Sequence, residues 1–115
     1  MKRGNKRKFG RVKKQREALF KALATALIDH GRIKTTEAKA KTISGYIERL
    51  VAKAIKGDLA SRKFILQFIG EKAARRLISE IGPRFQDRQG GYTRIIKLGH
   101  RGSDSTPIAL IEFTA

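Results

Sequence analysis

No acidic residue appears before Glu17, while Lys2, Arg3, Lys6, Arg7, Lys8, Arg11, Lys13, Lys14 and Arg16 all precede it. Such a stretch has almost nothing to bury. Phe9 and Val12 are its only sizeable apolar side chains, Gly4 and Gly10 add slack, and its cations repel one another. Residues 1–12 are therefore expected to stay outside any core as a basic extension, disordered in the free protein. Residues 13–115 are left to form a single domain. The rest of the chain does not offset the charge: 27 Lys and Arg face 10 Asp and Glu, a formal charge of +17. A small protein so charged seeks polyanions, either a phosphate backbone or an anionic membrane surface. A hydrophobic content of 40% still supports a core.

Several classes drop out at once. The chain has no cysteine, which removes disulfides and thiolate metal sites. No apolar run approaches the ~18–20 residues of a membrane span. The basic N-terminus is not followed by an apolar stretch with a cleavage site, so it does not read as a secretory signal and a cytoplasmic address is expected.

The hydrophobic pattern predicts the order of elements. A helix begins near Lys13, with Leu19, Ala22, Leu23, Ala26 and Leu27 on its apolar face and Gly31 as its stop. Arg32–Thr35 reads as a short strand. Thr36 caps a second helix whose apolar stripe is Ala40, Ile43, Ile47, Leu50, Val51, Ala54 and Ile55. Gly57 ends it and Asp58 caps the next. A short apolar helix runs from Leu59 to Ile69. Ala74, Leu77, Ile78 and Ile81 mark another, closed by Gly82-Pro83. Arg84–Gly91 reads as a loop, and Tyr92–Leu98 and Ile108–Phe113 as strands. Gly99–Pro107, between them, would be a long hairpin loop tipped by His100 and Arg101. Helical stripes need a surface, and the small sheet provides it, so the expected fold is a two-layer α+β domain.

Three constellations carry candidate chemistry. The basic extension is the strongest, because each cation placed on a phosphate releases counterions and makes binding salt-dependent. Its bland alternative is a solvated charge run or a receptor-read address. The second is Gly82–Arg94, where Arg84, Arg88 and Arg94 offer planar forks for phosphates and base edges. Phe85 and Tyr92 in it are aromatic platforms or core residues, Phe85 more naturally core. The third is Lys34, Thr35, Thr36, Lys39 and Lys41, where a helix N-terminus among lysines makes an anion site, or simply a good cap. Lys97, His100 and Arg101 add cations in the hairpin.

Catalysis finds little support. Asp29 and His30 are adjacent on a helix, where their side chains diverge. His100 with Asp104 is a better-spaced pair, but no nucleophile motif accompanies it. No phosphate-binding glycine loop or dinucleotide fingerprint occurs, and two histidines do not make a metal site. The readings left are an RNA-embedded structural protein, a DNA-binding nucleoid or regulatory protein, and a membrane-active cation. The Leu59–Ile81 helices, with Arg75 and Arg76, superficially suit a helix-turn-helix. The main cationic features lie instead in the extension and loops, which fits irregular RNA better than a major groove. A membrane-active helix would carry Trp or Phe on its apolar face, whereas the first helix is lined by Ala and Leu.

Two stretches of this sequence resemble the bacterial large-subunit ribosomal protein L-seventeen family. One is Ile33-Lys34-Thr35-Thr36 followed by Lys39-Ala40-Lys41. The other is Gly82-Pro83-Arg84-Phe85, then Arg88, Gly90-Gly91-Tyr92-Thr93-Arg94-Ile95, Gly99, Arg101, Asp104, Pro107 and Ile111-Glu112. Glu48 and Lys53 also fall where the family has an acid and a base. The resemblance spans nearly the whole chain. It implies an α+β architectural protein with no cofactor and no small-molecule substrate. Its implied partners are large-subunit rRNA near the peptide exit region and neighbouring large-subunit ribosomal proteins. On that reading the extension orders on binding and threads between rRNA helices. The hairpin and the arginine-rich turn form a second contact surface.

Overall fold

The computed structural model describes the backbone of residues 2–102 and 105–115, and the side chains of residues 12–102 and 105–115. Helix α1 spans Lys2–His30, strand β1 Arg32–Thr36, and helix α2 Glu37–Lys56. Helices α3 (Leu59–Leu66) and α4 (Glu71–Arg76) follow. A π-helical turn over Leu77–Ile81 and a 3-10 turn over Gly82–Phe85 continue α4, and strands β2 (Thr93–Arg101) and β3 (Thr106–Phe113) complete the fold. The α+β class expected from the pattern is the one found.

The sheet has the order β1-β3-β2, so β3 is the central strand and both pairings are antiparallel. One face of it carries Ile33, Ile95, Ala109, Ile111 and Phe113 into the core shared with α2. From α2 come Ala40, Ile43, Ile47, Leu50, Val51 and Ala54, all buried. Ile43 and Ile47 are fully enclosed, and each contributes about 1.5–3 kcal/mol by leaving water. α1 and α4 close the core from the other side with Ala24, Leu27, Ile28, Ala73 and Ala74.

The α2 boundaries follow from local chemistry. Thr36 sits in extended backbone and its Oγ1 accepts the Lys39 N–H at 3.3 Å. Gly57 adopts the left-handed conformation, φ 65°, and its N–H reaches the Lys53 carbonyl. Asp58 caps α3 by accepting the Ser61 N–H at 2.8 Å, and hydrogen bonds from the Ser61 hydroxyl and then its N–H hold the carboxyl below its ordinary value.

Four expectations need correction. α1 begins at Lys2 rather than near Lys13, since Lys and Arg are good helix formers and no proline interrupts the stretch. The buried stripe of α1 is Ala24, Leu27 and Ile28, with Phe20 and Leu23 half-buried, whereas Leu19 and Ala22 face solvent. In an Ala-rich helix two adjacent stripes look alike, and packing against α2 and α4 selects between them. Gly82-Pro83 does not end the helical path. A π-helical turn precedes it, with the Gly82 N–H reaching the Leu77 carbonyl, and Pro83 falls in the first turn of a 3-10 segment that coils on to Phe85. Gly82 lets α2 come close there: a Cβ would stand 3.2 Å from the Ala54 carbonyl oxygen, tighter than an ordinary contact. Finally, the hairpin loop is shorter than expected: β2 runs to Arg101 and β3 starts at Thr106. His100 and Arg101 therefore lie on a strand, paired with Pro107 and Thr106.

Candidate nucleic-acid interface

Strand register brings two distant stretches together. Thr36 of β1 and Gly99 of β2 both pair with Ile108 of β3, from opposite sides. A bulge between Lys97 and Gly99, with Gly99 at φ 96°, shifts the end of β2 relative to its partner. The result is a cleft of 450 Å³ at the start of α2. Lys34, Thr35, Thr36 and Lys39 line one wall, and Leu98, His100 and Arg101 the other, over Ile108. Among the described residues, no carboxylate lines it.

Lys34, Lys39 and His100 are exposed. Among the described residues, neither Lys34 nor Lys39 has an acid within ion-pair distance. The free N–H groups of the first α2 turn and the positive end of a 20-residue helix dipole add to the field. Lys41 and Lys97 sit just outside, sharing Glu37 at 3.4 and 3.7 Å. The arrangement offers a concave, cationic, hydroxyl-bearing wall, suited to phosphate oxygens.

The Gly82–Arg94 constellation behaves differently. Phe85 is 1% exposed and Tyr92 5% exposed, and their rings meet at 5.2 Å. Tyr92 is therefore corrected from a stacking platform to a core residue: its ring is enclosed and its hydroxyl donates to the Arg88 carbonyl. The Arg88 guanidinium lies over Phe85 and donates to the Gly91 carbonyl and the Thr114 hydroxyl. Arg94 donates twice to Glu112, at 2.7 and 3.0 Å. Arg84 is exposed but beside His30 and Arg76, away from the cleft.

The residue that organises this turn is Glu48 of α2. Its carboxylate accepts the N–H groups of Tyr92 and Thr93, each at 2.9 Å, and the Thr93 hydroxyl at 3.1 Å. Ser44 adds a 2.9 Å contact between its hydroxyl and that of Thr93. Ser44, Leu98 and Ile108 escaped the sequence reading, and the role of Glu48 did too. No local signal marks a carboxylate whose partners lie 44 residues away.

Lys13, Lys14 and Arg16 are exposed on α1 and do not line the cleft. The side chains of Lys2, Arg3, Lys6, Arg7, Lys8 and Arg11 lie outside the described residues, and so does Asp104, the suggested partner of His100. Arg75 pairs with Glu71 at 3.2 Å and Arg76 with Glu80 at 2.8 Å, so the arginines of the α3–α4 pair are already engaged. Among the described residues, no group of acids and histidines could hold a metal, and no helix is long and apolar enough to cross a membrane.

Comparison with known proteins is consistent along the chain. Residues 19–114 match the family model described as Ribosomal protein L17. A protein of Thermodesulfovibrio yellowstonii named "Large ribosomal subunit protein bL17" is 47% identical over 108 residues, covering 93% of this chain and 81% of the relative. Proteins of the same name from Campylobacter jejuni and Campylobacter lari are each 46% identical over 110 residues, covering 95% of this chain and 94% of the relative. With both the family pattern and relatives of near-equal length matched, the chain belongs to the ribosomal protein L17 family.

Proposed function

We propose that this protein binds and organises large-subunit rRNA near the peptide exit region, using the cleft at the head of α2 together with the cations of α1. As a member of its family it is a non-enzymatic structural component of the large ribosomal subunit. The observation that carries the finer reading is the cleft itself. Lys34, Thr35, Thr36 and Lys39 meet His100 and Arg101 there, with no acid among the described residues of the lining. A wall of that chemistry on a chain of charge +17 is matched by a polyanion and by little else.

Residues 1–12 act as the basic RNA-binding extension and residues 13–115 as the domain that aims it. Neighbouring large-subunit proteins pack against the surfaces that RNA leaves open, and the working location is the ribosome in the cytoplasm. The DNA-binding alternative loses ground because Arg75 and Arg76 are held by acids of their own helix.

The test is binding of the full chain to large-subunit rRNA across a salt series, with Lys34→Ala/Lys39→Ala beside the wild type. Loss of two phosphate contacts should flatten the slope of log affinity on log salt by about 1.4–1.8. An unchanged slope would remove the cleft from the interface. Preferential, salt-resistant binding to duplex DNA would overturn the rRNA reading.

A further inference from the structure

A second concavity, of 510 Å³, lies between α1, α2 and the end of α3. That volume falls within the ~300–1,000 Å³ of small-ligand sites. Its floor is aromatic. Phe20 and Tyr46 have ring centroids 6.0 Å apart, and Tyr46 meets Phe68 edge-on at 5.4 Å. All three rings are only half-buried, in contrast to the enclosed Phe85 and Tyr92. Leaving aromatic surface wet forgoes ~25 cal/mol for each Å².

The rim is polar and mixed. Lys14 and Lys21 stand two turns apart on one face of α1, with Glu17 between them, and Gln67 closes the far side. Burial and the nearby Glu17 carboxylate push the Tyr46 hydroxyl up. An aromatic floor with its rings inclined at 47° and 89° to one another, one carboxylate, one carboxamide and two ammonium groups match the parts of a single nucleotide. Rings take the base face, the acid and amide take its edge, and the lysines take the flanking phosphates. An apolar side chain of a neighbouring protein would instead strand both lysines and the carboxylate in a dry contact.

We propose that this groove takes one unpaired nucleobase of the RNA, stacked on the Tyr46 ring and flanked by Phe20 and Phe68, with Lys14 and Lys21 on its phosphates. The inference rests on the RNA-binding function proposed above. Glu17 accepts from an N–H of the base edge, and the larger stacking face of a purine makes adenine preferred over uracil.

The chain offers its own reporter, because it has two tyrosines and no tryptophan. In a full-length Tyr92→Phe background, Tyr46 is the sole source of tyrosine emission. Titration with large-subunit rRNA should quench that emission at saturation, and oligo(A) should quench it more strongly than oligo(U). Tyr46→Leu, which keeps apolar volume without a π face, should weaken rRNA affinity by about five- to 150-fold. Its salt slope and melting temperature should stay close to wild type, as they would not if the loss were of phosphate contacts or of fold. Saturable binding with unchanged emission and unchanged Tyr46→Leu affinity would overturn the base site. If Lys34→Ala/Lys39→Ala still weakened binding in that case, the function would stand without it. Failure of the wild type to bind rRNA would remove the function and the base site together. Photo-crosslinks from position 46 to a protein neighbour, rather than to RNA, in assembled large subunits would overturn the base site alone.

Discussion

Arg88, Thr93 and Arg94, in and after the turn beyond Pro83, are answered from inside the protein, by Gly91 and Thr114, by Glu48, and by Glu112. Lys34 and Lys39, at the head of α2, have no acid within ion-pair distance among the described residues. Both regions are rich in cations and hydroxyls. The difference lies in whether the fold supplies the counter-group. A guanidinium already forked onto a carboxylate must give that bond up before it can serve a phosphate, while an exposed ammonium gives up only water. A motif can thus be specific to a family because it builds the scaffold, while a plainer stretch makes the outward contact.

The largest effect that would test this division is in the turn. Phe85→Ala should cost about 3–5 kcal/mol of stability through the cavity it leaves among Tyr92, Phe113 and the α2 side chains. Denaturant melts would read it, and a variant as stable as wild type would break the claim that this aromatic belongs to the core. Next, Glu48→Gln keeps the shape but trades charge-assisted bonds to Tyr92 and Thr93 for weaker ones. About 1.5–3 kcal/mol should be lost, with RNA affinity per folded molecule unchanged. A fall in affinity without a fall in stability would put the turn back into the interface. The cleft should give the mirror image. Lys34→Ala/Lys39→Ala should move stability by no more than about 0.5 kcal/mol while flattening the salt slope. Marked destabilisation would mean those lysines are structural after all. Arg94→Ala breaks an exposed pair and should cost about 0.2–1 kcal/mol, with little change in rRNA binding. A tenfold loss of rRNA binding by that variant would show that Arg94 leaves Glu112 to reach a phosphate.

Much of the fold was legible where chemistry is local. Thr36, Gly57 and Asp58 each declare a boundary through bonds spanning three or four residues, and the α2 stripe repeats cleanly enough to fix its buried face. What was not legible depends on partners far away in sequence. The extent of β2 past Leu98 comes from pairing with β3, which lets His100 and Arg101 join a strand despite the flanking glycines. The phase of the α1 stripe comes from what α1 packs against, since Leu19 and Leu27 look equally apolar until only Leu27 meets the core. The site was half legible. Its lysines and threonines stood out as a helix cap, but nothing in that stretch says that residues 98–101 form the facing wall. The burial of Tyr92 was equally hidden, because its enclosure depends on Phe85 and on the grip of Glu48.

The strand order carries a consequence for how the molecule comes into being. β1 and β2 touch no strand but β3, and β3 is translated after both. Chains emerge N-terminus first at roughly 5–20 residues per second. For the seconds in between, neither early strand has a partner, and no part of the sheet can close. α1 needs no such wait, because its hydrogen bonds are its own. The first portion of the nascent chain to take shape is therefore the cationic helix. It can meet a polyanion while the cleft that completes the interface does not yet exist.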